Sequence, residues 1–194
     1  FKPKFIVVGY NFHFGYKRQG DISLLKKLSK KYLYNLKVIN PVIGKSKKIF
    51  NSTYIRKQLE LGKYDVAKEM LGRNWMIEGK IIKGSGRGKV LGYPTANFVL
   101  NDYVIPMKGV YVTKSYLENN KKKKYFGVAN IGVRPTFNGK KIFFENHFFK
   151  LKSSVYGKKL CVELLAFLRK EKKFDNIKKL KKQIENDIYL TNKI

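Results

Sequence analysis

The chain has 194 residues, enough for one or two domains with a core of useful size. Its single cysteine, Cys161, excludes an internal disulfide and fits a reducing compartment, and no apolar run approaches the roughly 20 residues of a membrane span. The 43 basic residues outnumber the 13 acidic ones to leave a net charge of +30, a field that draws polyanions. Nearly all of that charge is lysine spread along the chain, whereas base readout and bidentate phosphate grip favour arginine. The lysines therefore read as solvated faces. The first residues do not form a signal peptide, so the cytoplasm is the expected location. A start at Phe1 rather than Met reads as a piece of something longer.

Phe5-Ile-Val-Val8, ending at Gly9, reads as a buried strand of the parallel kind. The turn Gly9-Tyr-Asn-Phe-His-Phe-Gly15 follows, where ligands of open α/β sheets bind. His13 has no second histidine nearby and reads as an ordinary packed or surface residue. Leu24, Leu25, Leu28 and Leu33 predict a basic amphipathic helix, and Leu36–Ile39 a second strand. Ser52 or Thr53 then suits the N-cap of a helix that stops at Gly62. A second short helix, Tyr64–Leu71, is closed by Gly72. Arg56 and the two hydroxyls at that first helix start also form a candidate anion site.

From Trp75 to Leu168 the texture changes to alternating or β-branched segments between Gly, Asn and Pro turns. The expected strands are Met76–Lys83, Ala96–Leu100, Gly109–Leu117, Tyr125–Val133, Lys141–Phe149 and Lys159–Leu168. Six short strands argue for a closed antiparallel barrel. Asp175 is the expected cap of a final helix that docks through Ile177, Leu180, Ile184 and Ile188. The domain boundary falls near Gly72–Trp75, giving domains 1–72 and 73–194.

Inside the barrel region, Gly84-Ser-Gly-Arg-Gly-Lys-Val-Leu-Gly-Tyr-Pro-Thr-Ala-Asn97 carries the chemistry. Glycine lets a loop lay its backbone N–H groups against an anion, with Arg87 and Lys89 adding charge. Thr95 and Asn97 offer hard oxygens two residues apart, pointing the same way if extended. Neither G-x-x-x-x-G-K-[ST] nor G-x-G-x-x-G occurs, and glycine spacing alone also fits a flexible hairpin with a basic tip. In Lys141–Phe149 the period of two places Phe143, Glu145, His147 and Phe149 on one face. Burial among phenylalanines disfavours a charged carboxylate, which makes Glu145 the candidate to take a proton.

With these pieces together the chain resembles the bacterial bifunctional FAD synthetases, which join an FMN adenylyltransferase domain to a riboflavin kinase domain. The resemblance rests on Gly84–Gly88 running into Leu91–Asn97, on Gly127-Val-Ala-Asn-Ile-Gly-Val-Arg-Pro-Thr-Phe137, on Glu145-Asn146-His147, and on Phe167-Leu-Arg169 with Phe174-Asp175. It implies an α+β chain: a six-stranded antiparallel, Greek-key-like β-barrel with a C-terminal helix, preceded by a partial α/β, Rossmann-like nucleotidyltransferase domain. It also implies a riboflavin kinase that converts riboflavin and ATP to FMN and ADP. Thr95 and Asn97 would hold Mg²⁺ against the ATP phosphates, and Gly84, Ser85, Gly86, Arg87, Gly88 and Lys89 would close over them. Glu145 would be the catalytic base, with Asn130, Arg134 and Arg169 as candidates for the flavin pocket.

In the front part, Gly9, Asn11, Phe12 and Gly15, then Ser52, Thr53 and Arg56, resemble the later adenylyltransferase motifs. The family's paired-histidine motif is absent, since His13 and His147 lie too far apart to replace it, and Asn51 stands where serine is usual. Adenylyl transfer is therefore expected only of a full-length parent. Lys150, Lys152 and Ser153 stand where the family often carries acidic residues. The expected partners are small molecules, with no membrane and no specific nucleic acid; the sequence does not disclose oligomeric state. The alternative reading is a basic β-barrel that binds RNA or single-stranded DNA without catalysis, drawing on the +30 charge and 14% aromatic content.

Overall fold

The structure is a computed structural model that describes residues 2–44, 47–100, 103–136, 139–149 and 155–193, without the side chains of 87, 134–136, 139 and 140. It contains two compact units, 1–51 and 52–194. In the first, β1 (Phe5–Gly9) and β2 (Asn35–Ile39) pair in parallel, from Phe5 opposite Asn35 to Gly9 opposite Ile39. Between them runs α1 (Ile22–Tyr32), whose N-cap Asp21 accepts a hydrogen bond from the Leu24 N–H at 2.8 Å. This is a β-α-β unit, as the apolar runs predict. The burial expected of β1 holds for Val8 only: Phe5 and Val7 are 71% and 61% exposed. Alternation turns them away from Ile6 and Val8, and no described element of this unit covers that second face.

The second unit opens with α2 (Ser52–Glu60) and α3 (Tyr64–Leu71). Ser52 and Thr53 already lie inside α2, so neither is its cap. Gly62 and Gly72 end the two helices with φ of +70° and +66°, the left-handed geometry that glycine adopts without strain. Six strands follow: β3 (Met76–Lys80), β4 (Thr95–Val99), β5 (Gly109–Leu117), β6 (Asn120–Thr136), β7 (Gly139–Phe148) and β8 (Lys159–Lys170). Their order is β3-β8-β5-β6-β7-β4, all antiparallel, and a bridge from Ile82 to Asn97 brings β4 back toward β3. The result is the expected nearly closed barrel. A helical turn, α4 (Arg87–Val90), interrupts the glycine-rich segment that glycine spacing alone leaves as loop.

Alternation along each strand fills the barrel. Ala96 and Phe98 of β4, Tyr111 of β5, Ala129 and Ile131 of β6, and Phe144 and Phe148 of β7 are buried together, and Phe98 meets Phe144 with ring centroids 4.8 Å apart. Leu59, Tyr64 and Ala67 belong to the same core, which is why α2 and α3 group with the barrel although the texture changes only near Gly72. Asn146 also points into this core and accepts from Thr113 Oγ1 through its Oδ1 at 2.7 Å. A hydroxyl donor satisfies the buried amide, so Asn146 is structural while its neighbours Glu145 and His147 face the other way.

The last helix, α5 (Ile177–Thr191), is capped by Asn176, not Asp175: Asn176 Oδ1 accepts from the Lys179 N–H at 2.9 Å, whereas Asp175 pairs with Lys179 Nζ. Ile177 is 67% exposed, so the docking face starts a turn later, at Leu180.

Candidate active site

On the wall facing away from the core, strand pairing aligns residues far apart in sequence. Asn97 of β4 lies opposite Glu145 of β7, Glu145 opposite Asn130 of β6, Asn130 opposite Val110 of β5, and Val110 opposite Arg169 of β8. Directly paired residues project to the same side. The Leu100 N–H bonds to the Ile142 carbonyl at 2.9 Å, which makes that a hydrogen-bonded pair. Counting back by alternation, Asn97 and Glu145 form a non-hydrogen-bonded pair, with about 4.5 Å between Cα atoms and side chains close together. At β8 a bulge next to the Val110–Arg169 pair lets Phe167 face Tyr111 in the core while Arg169 stays on the outer wall.

These residues line a cavity of about 430 Å³, within the range of small-molecule sites. Ser85, Gly86 and Gly88 of the glycine segment line it beside Thr95 and Asn97. Lys172, Phe174, Leu180 and Ile184 contribute from the C-terminal part. Gly84 stands just behind Asn97: a Cβ there would come within 2.5 Å of Asn97 Nδ2. Lys89 is exposed and outside the lining. Arg87 and Arg134 have side chains outside the described residues, as do Phe137 and the segment with Lys150, Lys152 and Ser153.

Asn97 is 3% exposed; its Nδ2 donates to the Thr95 carbonyl at 3.0 Å, and Thr95 Oγ1 lies 3.3 Å away. Its Oδ1 is buried and meets no hydrogen-bond partner among the described residues. A buried acceptor left unpaired costs about 1–3 kcal/mol, which a bound group supplying that contact would recover. A hard cation fits: Thr95 Oγ1 and Asn97 Oδ1 are oxygens of the kind Mg²⁺ takes. Among the described residues no cluster of three His, Cys, Asp or Glu could hold a metal. Two neutral oxygens leave the rest of such a shell to water and to phosphate oxygens.

Glu145 is half-buried, and its cross-strand neighbours are the two asparagines rather than the phenylalanines that spacing along β7 suggests. Periodicity shows which face a side chain takes but not which strands lie beside it. Arg169 lines the cavity, yet its guanidinium is engaged elsewhere. Nε and Nη2 donate to Asp187 of α5 at 2.9 and 2.7 Å, and Nη1 donates to the Lys170 carbonyl. Gln183 adds a bond to Asp187 Oδ1 at 2.8 Å. Arg169 thus fastens α5 over the cavity.

Sequence reasoning missed Tyr93, Glu171 and Asp187. Tyr93 donates to Glu185 of α5 at 3.3 Å and packs edge-on against His147, whose Nδ1 donates to the Pro94 carbonyl at 2.9 Å. Partial burial and the Glu185 carboxylate push the pKa of the Tyr93 hydroxyl up. One signal was available: Asp187 is an acid on the turn of α5 that also carries Ile184 and Ile188. The candidate adenylyltransferase residues fall on both sides of the unit division, Gly9, Asn11, Phe12 and Gly15 in the first unit and Ser52, Thr53 and Arg56 in the second. Arg56 Nη2 donates to Thr53 Oγ1 at 3.4 Å within α2.

Residues 71–194, more than half of the chain, match the riboflavin kinase family model, and residues 1–53 match that of FAD synthetase. A bifunctional riboflavin kinase/FMN adenylyltransferase from Buchnera aphidicola subsp. Acyrthosiphon pisum is 39% identical over 98% of this chain and 60% of its own length. One of the same name from Haemophilus influenzae is 37% identical over 95% of this chain and 59% of its own. The chain therefore spans about 60% of these curated relatives. A solved structure from Streptococcus pneumoniae, described as a macrolide-efflux protein, matches with a TM-score of 0.82 at 31% identity, covering 97% of this chain and 60% of that one.

Proposed function

Since the chain belongs to the riboflavin kinase family, we propose that it transfers the γ-phosphoryl group of ATP to riboflavin, giving FMN and ADP. The observation that carries this reading is the Asn97–Glu145 pair, a carboxylate beside a buried amide oxygen that has no partner among the described residues, in one cavity. Phosphoryl transfer asks the protein mainly for placement and for neutralised charge. Ser85, Gly86 and Gly88 cover the nucleotide phosphates. Thr95 and Asn97 hold Mg²⁺, which when bound offsets the negative charge of the phosphates. Glu145 accepts the proton of riboflavin's terminal ribityl hydroxyl as that oxygen bonds to the γ-phosphorus; the bond to the β,γ-bridging oxygen breaks, and ADP leaves. Asn130 and Arg134 serve the flavin side, while Arg169 contributes by holding α5 in place.

The names of the longer relatives extend the proposal. In a full-length protein that carries the paired-histidine motif, Gly9, Asn11, Phe12, Gly15, Ser52, Thr53 and Arg56 belong to an FMN adenylyltransferase site, and FAD is the second product. The compartment we assign is the cytoplasm, in keeping with a lone buried Cys161 and no described helix long and apolar enough to cross a membrane.

Incubating the chain with riboflavin, ATP and Mg²⁺ should yield FMN, separable by chromatography. Glu145→Gln keeps the shape and removes the base, so kcat should fall by about 10²–10⁴ with little change in either KM. Turnover at the wild-type rate would end the assignment of Glu145.

A further inference from the structure

Glu171 lies one residue beyond β8, two past Arg169, and lines the same cavity as Glu145. It accepts a hydrogen bond from Asn130 Nδ2 through Oε1 at 3.2 Å. Asn130 is also the cross-strand partner of Glu145 on β6, so one amide stands between the two carboxylates. Gly132 provides the seat: a Cβ there would lie 2.0 Å from Glu171 Oε1 and 3.0 Å from Asn130 Nδ2. Any side chain at position 132 would therefore collide with the carboxylate where it now rests. Arg169, close by in sequence, does not compete for Glu171, because its nitrogens go to Asp187 and the Lys170 carbonyl.

The chemistry of the two groups makes the contact directional. An ionised carboxylate only accepts hydrogen bonds, whereas a carboxamide has one donating end and one accepting end. Glu171 therefore selects the rotamer of Asn130 in which nitrogen faces the carboxylate and Oδ1 lies on the other side of the amide. A carbonyl oxygen held in that way takes a hydroxyl or N–H donor. The donors available next to Glu145 are the hydroxyls of a polyol chain whose last oxygen Glu145 deprotonates. We propose that Glu171, seated over Gly132, is a positioning residue that orients Asn130 so that its Oδ1 accepts a hydrogen bond from a ribityl hydroxyl of riboflavin. This rests on the riboflavin kinase reading and adds to it a determinant of affinity for the flavin, separate from the nucleotide end of the cavity.

Steady-state kinetics of the full chain test it, with riboflavin and ATP varied separately. Glu171→Ala frees the amide to turn, and the KM for riboflavin should rise about tenfold, the value of one hydrogen bond, with the KM for ATP unchanged. Glu171→Gln can still accept from Asn130 Nδ2 and should recover most of that loss. Gly132→Ala leaves Glu171 intact but displaces its carboxylate, and should reproduce the effect of Glu171→Ala. Removing Asn130 as well should add nothing further, because the two residues act through one contact. Should Glu171→Ala lose its folded signal in circular dichroism, Gly132→Ala carries the test, with riboflavin binding followed by flavin fluorescence. An unchanged riboflavin KM, equal rises in both KM values, or full additivity with Asn130→Ala would each overturn the proposal. A wild-type chain that forms no FMN would instead sink the kinase reading beneath it.

Discussion

Asn97 concentrates most of what the nucleotide end needs in one amide. Its nitrogen is tied back to Thr95, and its oxygen is buried and unpaired among the described residues. The position of Gly84 behind it offers a test that leaves both candidate ligands in the chain. Gly84→Ala would bring a Cβ within 2.5 Å of Asn97 Nδ2 and 2.8 Å of Cγ, so the amide must turn. The concentration of Mg²⁺ giving half-maximal FMN formation should then rise about tenfold, the equivalent of about 1.4 kcal/mol lost at one ligand. Titrating the initial rate with Mg²⁺ measures this directly, and an unchanged midpoint would remove Asn97 from the metal role. At this scale the sequence was informative where chemistry follows local spacing: Thr95 and Asn97 two apart in a strand, and Glu145 on a face shared with His147. It was silent on Glu171, whose partner Asn130 lies on a strand distant along the chain, and for Asp187 it offered only an acid on the apolar turn of α5 with no sign that Arg169 is its partner.

Between elements, two of the contacts that hold helices to the barrel each predict a measurable response. The Arg169–Asp187 pair joins β8 to α5, with side chains only 17% and 3% exposed. Asp187→Ala would leave the guanidinium largely buried without its counter-charge, which costs about 3–5 kcal/mol. Urea unfolding should show that loss, and FMN formation should fall with it, because Leu180 and Ile184 line the cavity from the same helix. Tyr64 joins α3 to the barrel by donating to the Leu164 carbonyl and accepting from the Trp75 N–H at 2.7 Å. Burial pushes its hydroxyl up to about 12, from an ordinary value near 10 in the unfolded chain. The folded state thus favours the protonated phenol; that stability is fully present below pH 10 and is lost as pH rises toward 12. The stake is about 2–3 kcal/mol. Thermal melts from pH 9 to 12 should fall more steeply for wild type than for Tyr64→Phe; parallel curves would show that Tyr64 does not link folding to protons. The strands were legible because alternation and turn residues are local. The start of α5 was misjudged by one residue because Asp175 and Asn176 are both capable caps, and which one meets the Lys179 N–H depends on how the preceding turn is set.

Over the whole chain, similarity and packing draw different lines. The riboflavin kinase family model starts at residue 71 and the FAD synthetase model ends at 53, so most of α2 and α3 belongs to neither. By packing, those helices belong to the barrel: Leu59 and Ala67 are 1% and 0% exposed in its core, and Tyr64 bonds to β8. Composition could not reveal this, because an amphipathic helix shows which face it buries but not what it buries it against. We therefore expect the smallest stable kinase piece to begin at Ser52 rather than at Arg73. A chain starting at residue 73 loses Leu59, Tyr64 and Ala67 together and uncovers the apolar surface beneath them. A fully buried large apolar side chain such as Leu59 or Tyr64 is worth about 1.5–3 kcal/mol and a methyl such as that of Ala67 about 0.8, so the combined loss of about 4–7 kcal/mol reaches the lower part of the roughly 5–15 kcal/mol that holds a typical domain folded. Limited proteolysis followed by mass measurement should leave a resistant fragment starting near Ser52, and the expressed 52–194 fragment should unfold in one cooperative transition. The 73–194 fragment should melt at a markedly lower temperature or fail to fold. Equal melting temperatures for the two fragments would mean that α2 and α3 only rest on the barrel, and the boundary would then belong near Gly72 after all.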